Sequence, residues 1–274
     1  MELVYPDMSS SPSPDQLPRH EDVVAAARRL AGRAVVTPLL GSPLLNDRIG
    51  GRLLVKAEVL QRTGSFKFRG AFNRISLIPE ADRPRGVVAF SSGNHAQGVA
   101  AAARALGMKA TIVMPSDAPT IKVRNTQAWG ADVVLYDRRT GDREAIVVEI
   151  SAESGATVVR PYDDPHIMAG QGTIGLELVE QAGTLLATLD AVLAPCGGGG
   201  LISGIALALG ERSPATKVYA VEPAGFDDTG RSLAAGERVA NAPDAASFCD
   251  ALLAPMPGVL NSRSTPPGWP VPSQ

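Results

Sequence analysis

Gly86-Val87-Val88-Ala89-Phe90-Ser91-Ser92-Gly93-Asn94-His95-Ala96-Gln97-Gly98 runs a short apolar segment through a polar turn into an alanine-rich one. The first five residues read as a buried strand, and 96–107 as a helix closed by glycine. The same unit then repeats: 110–114 reads as a second strand, stopped by Pro115, 118–130 as a helix and 131–136 as a third strand. Further along, a helix over 142–155, a strand over 157–161, a helix over 172–183, a strand over 190–195, a helix over 201–210 and a strand over 217–222 continue the pattern. Upstream lie a helical pattern over 21–32 and an apolar run over 52–57. Strands alternating with helices of this length predict a parallel, doubly wound sheet. The units outnumber what one small sheet needs, and 274 residues exceed the usual domain size of about 50–200. The expectation is an α/β protein of two doubly wound parallel-sheet lobes, with a ligand cleft between them at strand carboxyl ends.

Composition narrows the function classes. Hydrophobic residues make up 45%, charged residues 20%, and the net charge is −2. No basic stripe suggests nucleic acid or an anionic membrane surface. No run approaches the roughly 18 apolar residues that cross a bilayer. The Ser- and Pro-rich stretch 1–19 lacks the basic-then-apolar order of a secretory signal and reads as a disordered start. Cys196 and Cys249 make neither a metal nor a disulfide pattern. A cytoplasmic protein is expected. Residues 259–274, with repeated prolines and no periodicity, read as an unstructured tail.

One lysine stands apart. Only five of the 26 basic residues are lysines, and Lys67 sits in Thr63-Gly64-Ser65-Phe66-Lys67-Phe68-Arg69-Gly70-Ala71, between two aromatics. Unlike arginine, lysine can lose its proton and attack a carbonyl carbon. Apolar neighbours such as Phe66 and Phe68 favour the neutral amine, and Phe66 can stack on a flat ring. A surface lysine at a helix start capped by Ser65 is the alternative.

Three loops follow strands and open helices, where backbone N–H groups and the helix dipole bind anions. Ser91-Ser92-Gly93-Asn94-His95 surrounds such donors with hydroxyls, an amide and an imidazole, suiting a small carboxylate; an ordinary N-cap cluster is the alternative. Pro195-Cys196-Gly197-Gly198-Gly199-Gly200-Leu201 spends chain entropy on four glycines, which lets backbone wrap a phosphate closely. A dinucleotide site competes, but G-x-G-x-x-G needs a glycine where Ser203 stands. Val221-Glu222-Pro223-Ala224-Gly225-Phe226-Asp227-Asp228 gathers carboxylates that could hold a hard cation, or simply be solvated. A lysine for a carbonyl, a nest for a phosphate and a loop for a carboxylate together suit pyridoxal phosphate and an amino-acid substrate.

These stretches, with Ala96-Gln97-Gly98, Val113-Met114-Pro115, Ala118-Pro119, Lys122 and Trp129-Gly130-Ala131 in the same order, resemble the serine/threonine dehydratase and serine racemase family of pyridoxal-phosphate enzymes, which has the tryptophan-synthase-β-like fold (fold type II). The resemblance runs from about 20 to 258. It implies that Lys67 links covalently to the cofactor and acts as base, and that Phe66 packs on its ring. It also implies that Asn94 bonds the ring hydroxyl and that Gly197, Gly198, Gly199, Gly200 and Leu201 hold the phosphate. Ser92, Asn94 and His95 would bind the substrate carboxylate. Glu222 and Asp228, with the Phe226 carbonyl, would hold Mg2+ or another divalent cation. The implied reaction removes water and ammonia from L-threonine or L-serine, leaving a 2-oxo acid. Racemisation is the alternative, with Ser92 as the acid on the opposite face. A homodimer is compatible with the resemblance. The implied lobes are 20–85 with 164–258, large and cofactor-binding, and 86–163, small.

One departure stands out. The family pattern continues past the region matching Gly258, where a serine or cysteine bonds the pyridine nitrogen, and nothing in 261–274 matches it. The chain therefore reads as a C-terminally truncated dehydratase with an incomplete large lobe, or a catalytically impaired pseudoenzyme.

Overall fold

The computed structural model describes residues 16–263; the expected disorder over 1–15 and over 264–274 lies outside these. In chain order come α1 (His20–Leu30), β1 (Leu39–Gly41), α2 (Pro43–Ile49), β2 (Leu54–Lys56), α3 (Lys67–Ser76), β3 (Val87–Phe90), α4 (Asn94–Ala105), β4 (Ala110–Pro115), α5 (Thr120–Ala128) and β5 (Asp132–Tyr136). They are followed by α6 (Arg143–Ser154), β6 (Thr157–Val158), α7 (Pro165–Thr184), β7 (Ala191–Pro195), α8 (Gly200–Arg212), β8 (Lys217–Val221), α9 (Asp228–Ala235) and α10 (Val259–Arg263).

The decisive sheet is parallel, in the order β5-β4-β3-β6. Val87 pairs with Ala110 and with Thr157, placing β3 between β4 and β6. Val87, Val88 and Ala89 are all buried, as expected of a parallel strand covered on both faces. The alanines of α4 have a packing reason. A side chain at Gly98 would come within 3.0 Å of the Lys67 carbonyl carbon, so α4 meets the start of α3 backbone to backbone. A second parallel sheet pairs β7 with β8, while β1 and β2 form an antiparallel ribbon. The α/β class with parallel sheets is as expected, although the second parallel sheet has only two strands among the described residues.

Elements β1, α2 and α9 were not marked in the sequence, and β6 keeps only Thr157–Val158 of the strand expected over 157–161; two further elements differ in ways that bear on the site. Helix α7 starts at Pro165, well before 172, because the Asp164 carboxylate accepts the N–H groups of His166 and Ile167 at 2.8 and 3.0 Å and proline suits a first helical turn. Its glycines, which dilute the helical signal, are contact points. A Cβ at Gly170 would lie 2.6 Å from the Gly70 Cα, and one at Gly172 would lie 2.6 Å from the Gly204 carbonyl oxygen, so α3 and α8 both touch α7 closely. The second difference is α10, a short helix where an unstructured tail is expected. Leu260 and Asn261 are buried, and the Leu260 N–H donates to Asp163 Oδ1 at 2.7 Å; tertiary docking supplies what local periodicity lacks.

Beneath the site lies a buried ionic cluster. Arg69 donates to both oxygens of Glu58 at 2.7 and 2.9 Å and to Glu177 at 2.6 and 2.9 Å. Lys56 donates to the same Glu177 at 2.6 Å. Burial opposes the Arg69 charge, but the hydrogen bonds to Glu58 and Glu177 outweigh it and raise the guanidinium above its ordinary pKa.

Candidate active site

Lys67 is the first residue of α3, and Phe66 precedes it as N-cap without a capping side chain. Lys67 is half-buried, and its Nζ donates to the Pro161 carbonyl at 2.8 Å and lies 5.4 Å from the Phe66 ring centroid. Burial lowers its pKa from 10.5 to about 8, because removing an ammonium from water favours the neutral amine. Ser65 caps nothing: its buried hydroxyl has no hydrogen-bond partner, so the alternative of a capped surface lysine falls.

The 91–95 loop leaves β3 and enters α4 at Asn94. The Ser91 hydroxyl accepts the Gly93 N–H at 3.1 Å, while Ser92 and Asn94 are half-buried. His95 turns inward: its Nε2 lies 3.0 Å from the Val159 carbonyl and Nδ1 has no partner. Burial, with Lys67 nearby, lowers the imidazole to about 3, so it is neutral near pH 7. Its side chain is therefore an interior one, and its backbone is the part placed at the loop.

The 197–200 loop carries the start of α8, whose N-cap, Gly199, has φ of +93° and no side chain to satisfy the first turn. Those N–H groups are free to meet an anion. A Cβ at Gly198 would lie 2.4 Å from the Tyr162 ring, and one at Gly199 would lie 2.9 Å from the Asn261 Cβ. Leu201 packs into the core that includes Ile202 and Ile205, as does Phe66.

A residue missed in the sequence joins these parts. Tyr162 follows directly on Pro161, the acceptor of Lys67; its ring lies against Gly198 and its Cβ and Cα against Gly200. The segment 159–162 thus touches His95, Lys67 and the glycine loop in turn. Its signal was available: an aromatic just past a parallel strand's carboxyl end is where such sheets place ligands.

The 222–228 loop is less simple. The Glu222 oxygens accept the N–H groups of Thr229 and Gly230, both at 2.9 Å, so this carboxylate caps α9. Asp228 Oδ1 accepts from Asn241 at 2.7 Å, whereas Oδ2 is buried without a partner. Burial pushes both carboxyls up. Phe226 is buried. Among the described residues no three His, Cys, Asp or Glu side chains are grouped to hold a metal. Cys196 and Cys249 are free thiols, the first buried and pushed up to about 12 by desolvation. No described helix is long and apolar enough to cross a membrane.

A half-buried amine of lowered pKa, linked through 161–162 to a glycine-built anion nest, fits pyridoxal phosphate, and the model of the family described as "Pyridoxal-phosphate dependent enzyme" matches residues 30–265. The chain belongs to that family. It is 51% identical over 224 residues to an L-threo-3-hydroxyaspartate ammonia-lyase from Pseudomonas sp, covering 82% of this chain and 69% of the relative. It is 45% identical over 223 residues to a serine racemase from Schizosaccharomyces pombe, covering 81% and 68%. A solved maize serine racemase superposes with a TM-score of 0.86 at 35% identity, over 91% of this chain and 74% of that one. The family and the tryptophan-synthase-β-like α/β fold expected from the sequence both hold.

Proposed function

We propose that this family member is an ammonia-lyase that eliminates water from β-hydroxy-α-amino acids, the resulting enamine taking up water again and releasing ammonia to leave a 2-oxo acid. The observation that carries it is the half-buried Lys67 amine at the start of α3, donating to the Pro161 carbonyl; desolvation pushes it down to about 8, close to what a general base needs near neutral pH. Bound pyridoxal phosphate supplies an electron sink for negative charge at the substrate Cα. In this reading Lys67 would hold the cofactor's aldehyde end and, once the substrate amine has displaced it there, its neutral Nζ would accept the Cα proton. Phe66 would flank the ring and Asn94 would bond its hydroxyl, and Gly197 to Gly200, with Leu201, would hold the phosphate at the first turn of α8. Ser92, Asn94 and the backbone at His95 orient the substrate carboxylate.

The substrate expected from the sequence, L-threonine or L-serine, now stands beside L-threo-3-hydroxyaspartate, which the 51% identical relative adds. All three carry a leaving hydroxyl at Cβ. The test is 2-oxo acid formation from each, together with borohydride reduction of the chain with pyridoxal phosphate and mass mapping of the label. Label on Lys67 with oxo acid released supports the proposal. Label elsewhere, or a labelled Lys67 with no oxo acid from any of the three, overturns it, and the second result favours the impaired pseudoenzyme.

Racemisation is the second reading, favoured by the half-buried Ser92 in the loop next to Lys67's helix neighbour α4. D-serine formed from L-serine, and lost in Ser92→Ala while elimination persists, would support it.

A divalent cation at Glu222 and Asp228 completes the proposal. The unpartnered Asp228 Oδ2 beside a second desolvated carboxylate is relieved by positive charge. Magnesium should raise the Tm of the parent chain and leave Glu222→Ala/Asp228→Ala unmoved. An equal shift in both, or none in the parent, removes the site.

A further inference from the structure

Residues 242–253 form a loop whose two ends are tied together. The Asn241 N–H donates to the Pro255 carbonyl at 2.9 Å and its side-chain amide to the Ala254 carbonyl at 2.8 Å. The same amide donates to Asp228 at 2.7 Å, and Arg238 donates to the Pro257 carbonyl at 2.8 Å. Such a closed neck makes a compact surface loop that moves as a unit. Within the loop no helix or strand forms, and Phe248 is 97% exposed.

The far side of this loop lies across the site. Asp250 pairs with the Lys122 ammonium of α5. The Lys122 side chain itself runs over the 91–95 loop: a Cβ at Gly93 would meet its Cδ at 2.9 Å and its Nζ at 3.2 Å. Two residues on, the Leu252 Cα would lie 3.6 Å from a Cβ at Gly197. The 250–252 strap therefore reaches from the proposed carboxylate loop to the first glycine of the phosphate loop. Its contact with the former is an ion pair, with side chains 23% exposed for Lys122 and 59% for Asp250.

We propose that Asp250 is a built-in competitor for an incoming carboxylate, and that its pair with Lys122 latches the 242–253 loop over the site. A carboxylate arriving at the 91–95 loop meets the Lys122 side chain lying over Gly93, already paired with Asp250. Taking Lys122 releases the strap, and Asn241 and Pro255 serve as its fixed hinge. The inference rests on reading the 91–95 loop as the carboxylate site. It needs no chemistry at Lys67.

The test uses the full chain, with and without pyridoxal phosphate, and succinate as an unreactive carboxylate probe. Chymotrypsin cleavage after Phe248 reports the strap, and calorimetry reports succinate binding. In the parent, succinate should speed that cleavage. Asp250→Asn should be cut rapidly without succinate and bind it up to about fivefold tighter, the scale of a partly exposed ion pair. Lys122→Met should be cut rapidly, bind succinate more weakly and not respond to it. Parent cleavage unchanged or slowed by succinate, or Asp250→Asn cut no faster than the parent, overturns the latch. Faster cutting throughout the chain in Asp250→Asn would also overturn it, by showing general unfolding. Because oxo acid release is not the readout, an inactive enzyme with a working latch is distinguishable from an active one without it.

Discussion

At the residue scale the distinctive feature is a half-buried lysine whose charge is disfavoured by desolvation. Lys67 titrates near 8 in the fold against 10.5 in an exposed chain, so between those values the unfolded state binds more protons than the native state. Stability linked to this group is therefore lowest below about pH 8 and is recovered as pH rises towards 10.5. Lys67→Met should thus stabilise the cofactor-free chain at pH 7 by about 2–3 kcal/mol, since each pKa unit is about 1.4 kcal/mol and the Pro161 carbonyl loses a donor. The gain should fade by about pH 10.5. Urea melts at pH 7 and pH 10.5 check it, and a variant less stable at both would refute the desolvated ammonium. His95, lowered to about 3, works in the acid range. Its burial costs stability only as pH falls below 6.5, where the unfolded imidazole charges.

At the element scale the site is an arrangement of helix starts pressed together. Helix α3 holds Lys67 in place through Arg69, two residues on, rather than through the lysine itself. Arg69→Met leaves Glu58 and Glu177 with Lys56 as the remaining cation of the cluster. Removing one partner from a buried ionic cluster costs about 3–5 kcal/mol, so the variant should melt at much lower urea than the parent; a loss under about 1 kcal/mol, the surface-pair scale, would show the cluster to be solvated. Helix α8 depends on its glycines instead. Gly198→Ala drives a methyl to 2.4 Å from the Tyr162 ring and should weaken pyridoxal phosphate binding about tenfold or more, equivalent to about 1.4 kcal/mol. Gly198→Ala/Tyr162→Ala should recover part of that loss if the ring is the obstacle. Titration of cofactor absorbance measures both, and unchanged affinity in the single variant would move the phosphate away from this loop.

At the scale of the whole molecule, burial is uneven. Strands β3 and β4 are buried through their middles, whereas β7 and β8 expose Leu193 at 67% and Val221 at 46%. Opening free energies follow local burial, so amide exchange should be slowest for Val88, Ala89, Ile112 and Val113 and distinctly faster for Leu193 and Val221. Equal protection in both sheets would mean that the two-stranded sheet is covered by something beyond the described residues. The same unevenness explains what could be read from the chain alone. Period and punctuation marked the 87–158 sheet, the α8 start and the lone lysine, since strand alternation, helix-closing glycines and a glycine nest are local signals. Local signals also carried the family resemblance, because its motifs are short and ordered. The inward turn of His95 and the docking of α10 were not legible, for each depends on a partner far away in sequence, Val159 and Asp163; Tyr162 and the Asp164-Pro165 start of α7 left local signals that went unread. By itself the sequence determined the class of fold and the family, and it singled out Lys67 and the glycine loop as candidates, because backbone geometry and side-chain chemistry within a dozen residues suffice for them. Only the tertiary structure decided that the Lys67 amine meets the Pro161 carbonyl, that His95 turns inward and that Asp250 reaches Lys122, because desolvation and pairing between distant segments exist only once those segments have packed.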